Sequence, residues 1–386
     1  MAITYLSPTP FASYNTRSGI FTADINSLIY NVPVNGTADI DLVNSGCIQL
    51  PFHPGANFRD LLDGGDFTVA PWQRNIPGIA SSGALSTAIT STPTYFADRW
   101  FHVGGASSSI VPSKVSDTSY PGYNVALKVQ RSTGSDTTMI QTGQILESVD
   151  SIRTQSQYLT FSILAKAGAN FSGGALTMSI VGGAGTNQSA AMLAAGTWSS
   201  QTTLATQAVT LTGNYQRYTL TTSAPVPSTI TQLAVLLNFT PSGTAGTDDS
   251  FYLLDTQLEL GSLASPWERR DVQVELEICQ RYAWVIAEPA SPIPVASGNV
   301  TAANTESFIL TLPVQMYKAP AVSVSVGSFK VNSATAGVVA ATTLAGNSTH
   351  TVTIIGLSAA GTGTAGQAAT LQGGGGSGYI LASADF

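Results

Sequence analysis

The sequence predicts a mainly β protein made of packed antiparallel sheets. Three observations carry this. Apolar and polar residues alternate with a period of two in several short runs, as half-buried strands require. Clusters of Gly, Ser, Thr and Pro separate the runs, such as 182–187 and 241–246, as turns do. Hydrophobic residues make up 43% of the 386 and charged residues only 10%, against about 25% charged in an average soluble chain. Polarity therefore comes from Ser, Thr, Asn, Gln and Gly, a composition that folds rather than staying disordered and suits uncharged β exteriors. The length points to two or three domains.

Residues 1–54 form the first segment. Asp39 can cap a short helix carrying Ile40 and Val43, with Gly46 ending it. So short a stretch buries little surface by itself, so it is expected to be an attachment arm that packs on another protein, with a decorated N-terminal extension of the jelly roll as the alternative. Residues 55–270 carry the clearest alternation. Leu159, Phe161 and Ile163 oppose Thr160 and Ser162; Leu176, Met178 and Ile180 oppose Thr177 and Ser179; Leu233, Val235, Leu237 and Phe239 form a further apolar row. Many short strands of this kind imply two stacked sheets.

Residues 271–288 break the pattern. Val272, Leu276, Cys279, Ala283 and Ile286 are spaced four, three, four and three, which predicts a helical connector with an apolar seam. Glu277 and Arg281 add an i, i+4 pair of the favoured orientation. The seam is too short for an isolated coiled coil, so a homotrimer supported by the adjoining domains is expected, the alternative being a helix that lies against its own chain's sheet. Residues 289–386 return to β runs, and their only ionised side chains are Glu306, Lys318, Lys330 and Asp385. So few charges suit a self-associating surface better than a free monomer.

The stretch opening with Arg59-Asp-Leu-Leu-Asp-Gly-Gly-Asp-Phe-Thr-Val and closing with Asp255-Thr-Gln-Leu-Glu-Leu-Gly-Ser-Leu-Ala-Ser-Pro-Trp-Glu-Arg-Arg270 resembles a jelly-roll module similar to carbohydrate-binding modules. Ala97-Asp-Arg-Trp-Phe101, Ala126-Leu-Lys-Val-Gln-Arg131 and 159–170 strengthen the likeness. Such modules recur in bacteriophage fibres and tail-associated proteins. Residues 275–282 resemble the segment that follows this module in phage proteins, and the last part resembles their terminal β-domain. The resemblance implies a jelly roll over 55–270, with Trp100 and Trp267 in recurrent core-packing motifs. It also implies a non-enzymatic structural protein of a virion, assembled in the host cytoplasm and joined to other virion proteins through the arm. A projecting tail fibre that adsorbs to the host surface is expected; a head fibre or head decoration (cement) protein is the alternative, and a polysaccharide depolymerase comes third.

The chemistry-bearing residues agree with a binding or structural role. A net charge of −7 without a basic cluster argues against nucleic acid. The first residues lack the pattern of a secretory signal, and no apolar run is long enough to insert in a membrane. Cys47 and Cys279 are expected to be reduced and buried. His53, His102 and His350 fall in separate segments, so no metal site and no cofactor is expected. Gly361–Gly366 spells the dinucleotide fingerprint outside any βαβ context, and a hairpin loop accounts for it. Asp248, Asp249, Asp255 and Glu259 are the densest acids. Glycoside hydrolysis would need two carboxyls about 5 to 10 Å apart, whereas a solvated turn and strand edge explains these four; in related jelly rolls such acids can also hold calcium. Trp198, Asn187 and Gln188, in or beside the long 182–202 connection, are the candidate contacts for a host surface glycan, although a Trp in so turn-rich a stretch is more often a lid on the core.

Overall fold

The computed structural model describes the chain from Arg59 to Phe386 except residues 68–71, 77–78, 80–83, 86–87, 106–108, 133, 303–304, 326–328, 334–336, 341–342, 350–351 and 359–363; before Arg59 it describes five strands. Those five are β1 (Ala2–Leu6), β2 (Ser13–Thr16), β3 (Gly19–Thr22), β4 (Leu28–Pro33) and β5 (Ile48–Leu50). β1 pairs antiparallel with both β4 and β5, and β2 with β3. The helix expected from Asp39 to Gly46, together with Cys47, lies outside the described residues.

The fold is mainly β and antiparallel. Between Thr94 and Leu260 two sheets stack. One has the order β13 (Thr202–Val209), β12 (Leu176–Gly183), β15 (Gln232–Phe239), β10 (Ile140–Ile145), β7 (Phe101–Val103), β6 (Thr94–Tyr95). The other runs β14 (Gln216–Thr221), β11 (Leu159–Ala167), β16 (Ser250–Leu260), β9 (Val125–Arg131), β8 (Ile110–Ser116). The alternating rows meet where their period says they should. Leu159, Phe161 and Ile163 of β11 share one buried core with Leu176, Met178 and Ile180 of β12 and Leu233, Val235, Leu237 and Phe239 of β15. Trp100 is fully buried in that core, its ring 5.3 Å from Phe67 and its indole N–H donating to the Gly64 carbonyl at 3.0 Å. Gly65 is required where it stands, since a Cβ there would lie 2.3 Å from the Thr256 carbonyl oxygen.

The ends of this unit are laced together. The Asp60 carboxylate accepts from the backbone N–H groups of Leu62 and Leu258 at 2.9 and 3.0 Å, and Arg270 donates to the Leu62 carbonyl at 2.9 Å. Buried Arg131 reaches Asp249 at 3.2 Å and the Gly243 carbonyl at 2.8 Å. Such anchors explain why the recurrent motifs at both ends are rich in Asp, Glu and Arg: buried backbone groups need partners.

Two short helices decorate the unit, α1 (Ser148–Ser151) and α2 (Ala190–Ala194); a third, α3 (Val272–Gln280), follows it. Asp271 caps α3, its carboxylate accepting from the Gln273 N–H at 2.9 Å. The helix stops at Gln280, which corrects the expected connector over 271–288. Ala283–Ala287 forms β17 instead, paired residue for residue with β26 (Tyr379–Ser383). The run Ala-Trp-Val-Ile-Ala is aromatic and β-branched, and five registered pairs outweigh the helical spacing.

The seam is thereby divided. Val272 is 45% exposed, Leu276 is half-buried, Cys279 and Ala283 are buried in the protein's own interior, and Ile286 packs on the second core. Arg281 does not pair with Glu277 as expected. It forks onto Glu147, at 2.7 and 3.0 Å. A trimer through a continuous Val272–Ile286 seam therefore has no continuous surface to use.

The second stack sets β17, β26 and β20 (Ala321–Val324) against a seven-stranded sheet. That sheet contains β18 (Pro294–Ala302), β19 (Thr305–Thr311), β21 (Lys330–Ser333), β22 (Gly337–Ala340), β23 (Thr343–Ser348), β24 (Val352–Ser358) and β25 (Ala368–Gln372). Val300, Phe308, Phe329, Val331, Leu371 and Ile380 fill the space between. After β26, Asp385 reaches Arg74 at 2.5 Å, and Phe386 lies 4.7 Å from Tyr317, centroid to centroid. The Arg99 guanidinium covers Tyr282 at 3.5 Å and Phe386 at 5.3 Å. The last residues are thus clasped between the two stacks.

Candidate functional site

The sheet β14-β11-β16-β9-β8 buries one face and turns the other outward. On the outward face Ala126, Leu164 and Leu254 are roofed by Tyr120, Tyr123, Tyr215 and Tyr252. Three of the tyrosine hydroxyls end on carboxylates: Tyr215 on Asp117 at 3.0 Å, Tyr252 on Asp248 at 3.1 Å, and Tyr123 on Asp255. Lys166 sits 4.7 and 4.8 Å from the Tyr215 and Tyr252 ring centroids and pairs with Asp117 at 2.7 Å. Lys128 pairs with Asp248 at the same distance. With rings capped by cations and hydroxyls by carboxylates, this end of the face is closed.

The opposite end is closed by residues 261–268. Glu259 accepts from the Ser265 N–H at 2.8 Å and the Ser265 hydroxyl at 2.5 Å, and Gln257 accepts from the Glu268 N–H at 2.8 Å. Asp249, Asp255 and Glu259 are buried, which corrects the expectation of a solvated turn and strand edge. Their charges are used to hold turns. Asp249, for example, accepts from the Ser172 N–H and hydroxyl at 2.9 and 2.8 Å as well as from Arg131. Among the described residues no group of three or more His, Cys, Asp or Glu side chains is placed to hold a metal ion.

Between the two covers lies a polar floor. Asp255 stands directly across from Asp66 in an antiparallel bridge. Exposed Arg217 donates to the Ser162 hydroxyl at 2.7 Å, and Arg269, 59% exposed, lies 3.7 Å from Asp66. The Asp255 Oδ1 atom is buried with no hydrogen-bond partner among the described residues. Burial pushes the Asp255 carboxyl up to about 6; Tyr123, Arg217 and Arg269 oppose the rise and Asp66 adds to it. Carboxyl, guanidinium and phenol groups thus converge on one small area flanked by two loops, a set that can donate to and accept from ligand hydroxyls.

The earlier candidates sit elsewhere. Trp198 is 3% exposed, packed with Val181, Leu193 and Leu236, and its indole N–H donates to the Ser189 carbonyl at 3.0 Å. The Asn187 carboxamide oxygen accepts from the Ser148 N–H at 2.7 Å, and that of Gln188 from the Ser199 N–H at 2.8 Å. These three residues close the 182–202 connection onto the sheet, so the expected sugar-contact surface is a packed cap with no ring face to offer. Asp66, Tyr123, Arg217 and Arg269 were not singled out by the sequence. The only signal was their place in, or beside, the strands and terminal motifs of the unit.

A concavity of about 550 Å³ lies between Leu61, Val149, Arg153, Ile278, Arg281 and Val314. Two pairs of its ionised walls join each other, Arg281 with Glu147 and Arg153 with Asp150 at 3.5 Å.

No protein-family model matches the chain, and no curated protein matches it. Solved structures give low likenesses. An apo cyclase from Fischerella sp. is 13% identical over 51% of this chain and 98% of its own, with a TM-score of 0.32. The CBM22-1 xylan-binding domain of Paenibacillus barcinonensis Xyn10C is 13% identical over 46% of this chain and 100% of its own, TM-score 0.30. The enzymatically active domain of bacteriophage CBA120 tailspike protein 4 is 11% identical over 42% of this chain and 19% of its own, TM-score 0.27. Such values transfer no activity.

Proposed function

We propose that this chain is a non-enzymatic bacteriophage virion protein, a projecting tail fibre that contacts glycan on the host surface through the outward sheet face. The observation that carries the glycan part is the polar floor of Asp66, Tyr123, Arg217, Asp255 and Arg269 between two closed ends. The terminal motifs and the charge-poor β composition support the virion part. Asp255 and Glu259 are disfavoured as a hydrolytic pair, because they are about 13 Å apart along an extended strand at about 3.3 Å per residue, outside the window for a carboxyl pair. Glu259 is also fully engaged by Ser265 and Gln257.

Titration calorimetry of the purified protein with host lipopolysaccharide or capsule tests the reading. Binding weakened at least about tenfold by Arg217→Ala, equivalent to about 1.4 kcal/mol, with an unchanged melting temperature, is the expected result. Absence of binding, or binding indifferent to Arg217, would overturn the site. Released oligosaccharide would overturn the non-enzymatic role, and label on the capsid in immunogold images of particles would replace the tail assignment by head decoration.

A further inference from the structure

The β13 edge points to a self-pairing surface. The first stack has four sheet edges, and three are blunted in the ways proteins use against edge-to-edge association. β6 is two residues long. β8 carries Pro112 and Lys114 and is bridged by Ala84 and Ile89. β14 carries Arg217. β13, Thr-Thr-Leu-Ala-Thr-Gln-Ala-Val, has neither charge nor proline. Among the described residues it ends its sheet, paired with β12 alone. A register shift at Leu204 interrupts the ladder, leaving Ala205–Val209 as a regular run in which Thr206, Gln207 and Ala208 are exposed.

We propose that this run pairs antiparallel with the same run of a second copy, about a two-fold axis through Gln207. Self-pairing of this kind is isologous, so each contact occurs twice and the chemistry must complement itself. The run meets that condition. Ala205 faces Val209, Thr206 faces Ala208, and Gln207 faces its own copy, where two carboxamides can each donate and accept. A charge at the axis would face its like, and none is present. The second copy is favoured over a foreign strand because the whole run is suited to its own reverse. The surface is separate from the polar floor on the other sheet and does not rest on the glycan reading.

Cross-linking of the full chain tests this. In a Cys47→Ser background, with Cys279 buried, Gln207→Cys should form a disulfide dimer under mild oxidation. Directly opposed antiparallel residues have Cα atoms about 4.5 to 5.5 Å apart, within the disulfide range. Thr219→Cys, on the guarded β14 edge, should cross-link at least about tenfold more slowly. Gln207→Lys should raise the dimer dissociation constant at least about tenfold in sedimentation equilibrium, since two ammonium groups would meet at the axis. Equal cross-linking of the two cysteine variants, a wild-type chain that stays monomeric up to about 100 µM, or a dimer indifferent to Gln207→Lys would each overturn the proposal.

Discussion

Replacing Asp255 by Asn should remove a definable part of the protein's pH dependence. The Asp255 carboxyl is 5% exposed, accepts from the Tyr123 hydroxyl and faces Asp66, Arg217 and Arg269. Its pKa rises from 3.8 to about 6, chiefly because burial disfavours the charged form. The folded state thus holds this proton more tightly than the unfolded chain. The associated stability is fully present below about pH 4 and is lost as pH rises through about 6. Two pKa units correspond to about 3 kcal/mol. Asp98, whose carboxyl burial also lifts to about 6, contributes a trend of the same sign, so the wild-type profile alone is not diagnostic. The difference between wild type and Asp255→Asn is. Urea denaturation from pH 4 to 8 should show the variant gaining on wild type by about 2–3 kcal/mol as pH rises, with the change centred between pH 4 and 6.5. Asp117 and Asp248, whose carboxyls are held down near 2 by hydrogen bonds that include Lys166 and Lys128 respectively, titrate below this window. A difference that is flat across the range would refute the placement of Asp255 in a buried, partly unpaired position.

Trp198→Ala should lower stability by about 3–5 kcal/mol, the usual cost of emptying a buried aromatic site, while leaving glycan affinity unchanged in calorimetry. Asp385→Ala removes one partner of Arg74, a guanidinium whose side chain is 6% exposed; a loss of about 3 kcal/mol is expected, with faster hydrogen exchange in β17 and β26. A chain beginning near Asn57 should keep the melting temperature of the full protein and fail to enter particles. Normal incorporation would refute the arm's role in attachment.

Much of the architecture was legible from period-two alternation. The rows at Leu159, Leu176 and Leu233 fall on β11, β12 and β15 with their apolar members inward. Local pattern misled at Ala283–Ala287, because a helical spacing contains no information about β26, nearly a hundred residues later. The glycan reading of Trp198 failed for a related reason: a turn-rich sequence does not reveal that the backbone N–H groups of Asn187, Met192 and Trp198 are met by the side chains of Ser148, Ser189 and Gln201, which turn the connection into a cap. The polar floor was largely invisible. Asp66 and Asp255 become neighbours only when the segment that precedes the unit's strands comes to lie against its last strand, and long-range pairing of that kind leaves no local trace.

The position of β16 restricts how the outward face can change. One eleven-residue strand supplies core side chains at Leu253 and Leu258, the carboxyl of the floor at Asp255, and the clamps at Gln257 and Glu259. A substitution on it disturbs two of these at once. On the proposed glycan-binding role, adaptation to a different surface sugar would therefore run through the rims, around Tyr120 on one side and Leu263 on the other. On that proposal, variants selected to bind a different glycan should change there and keep the floor.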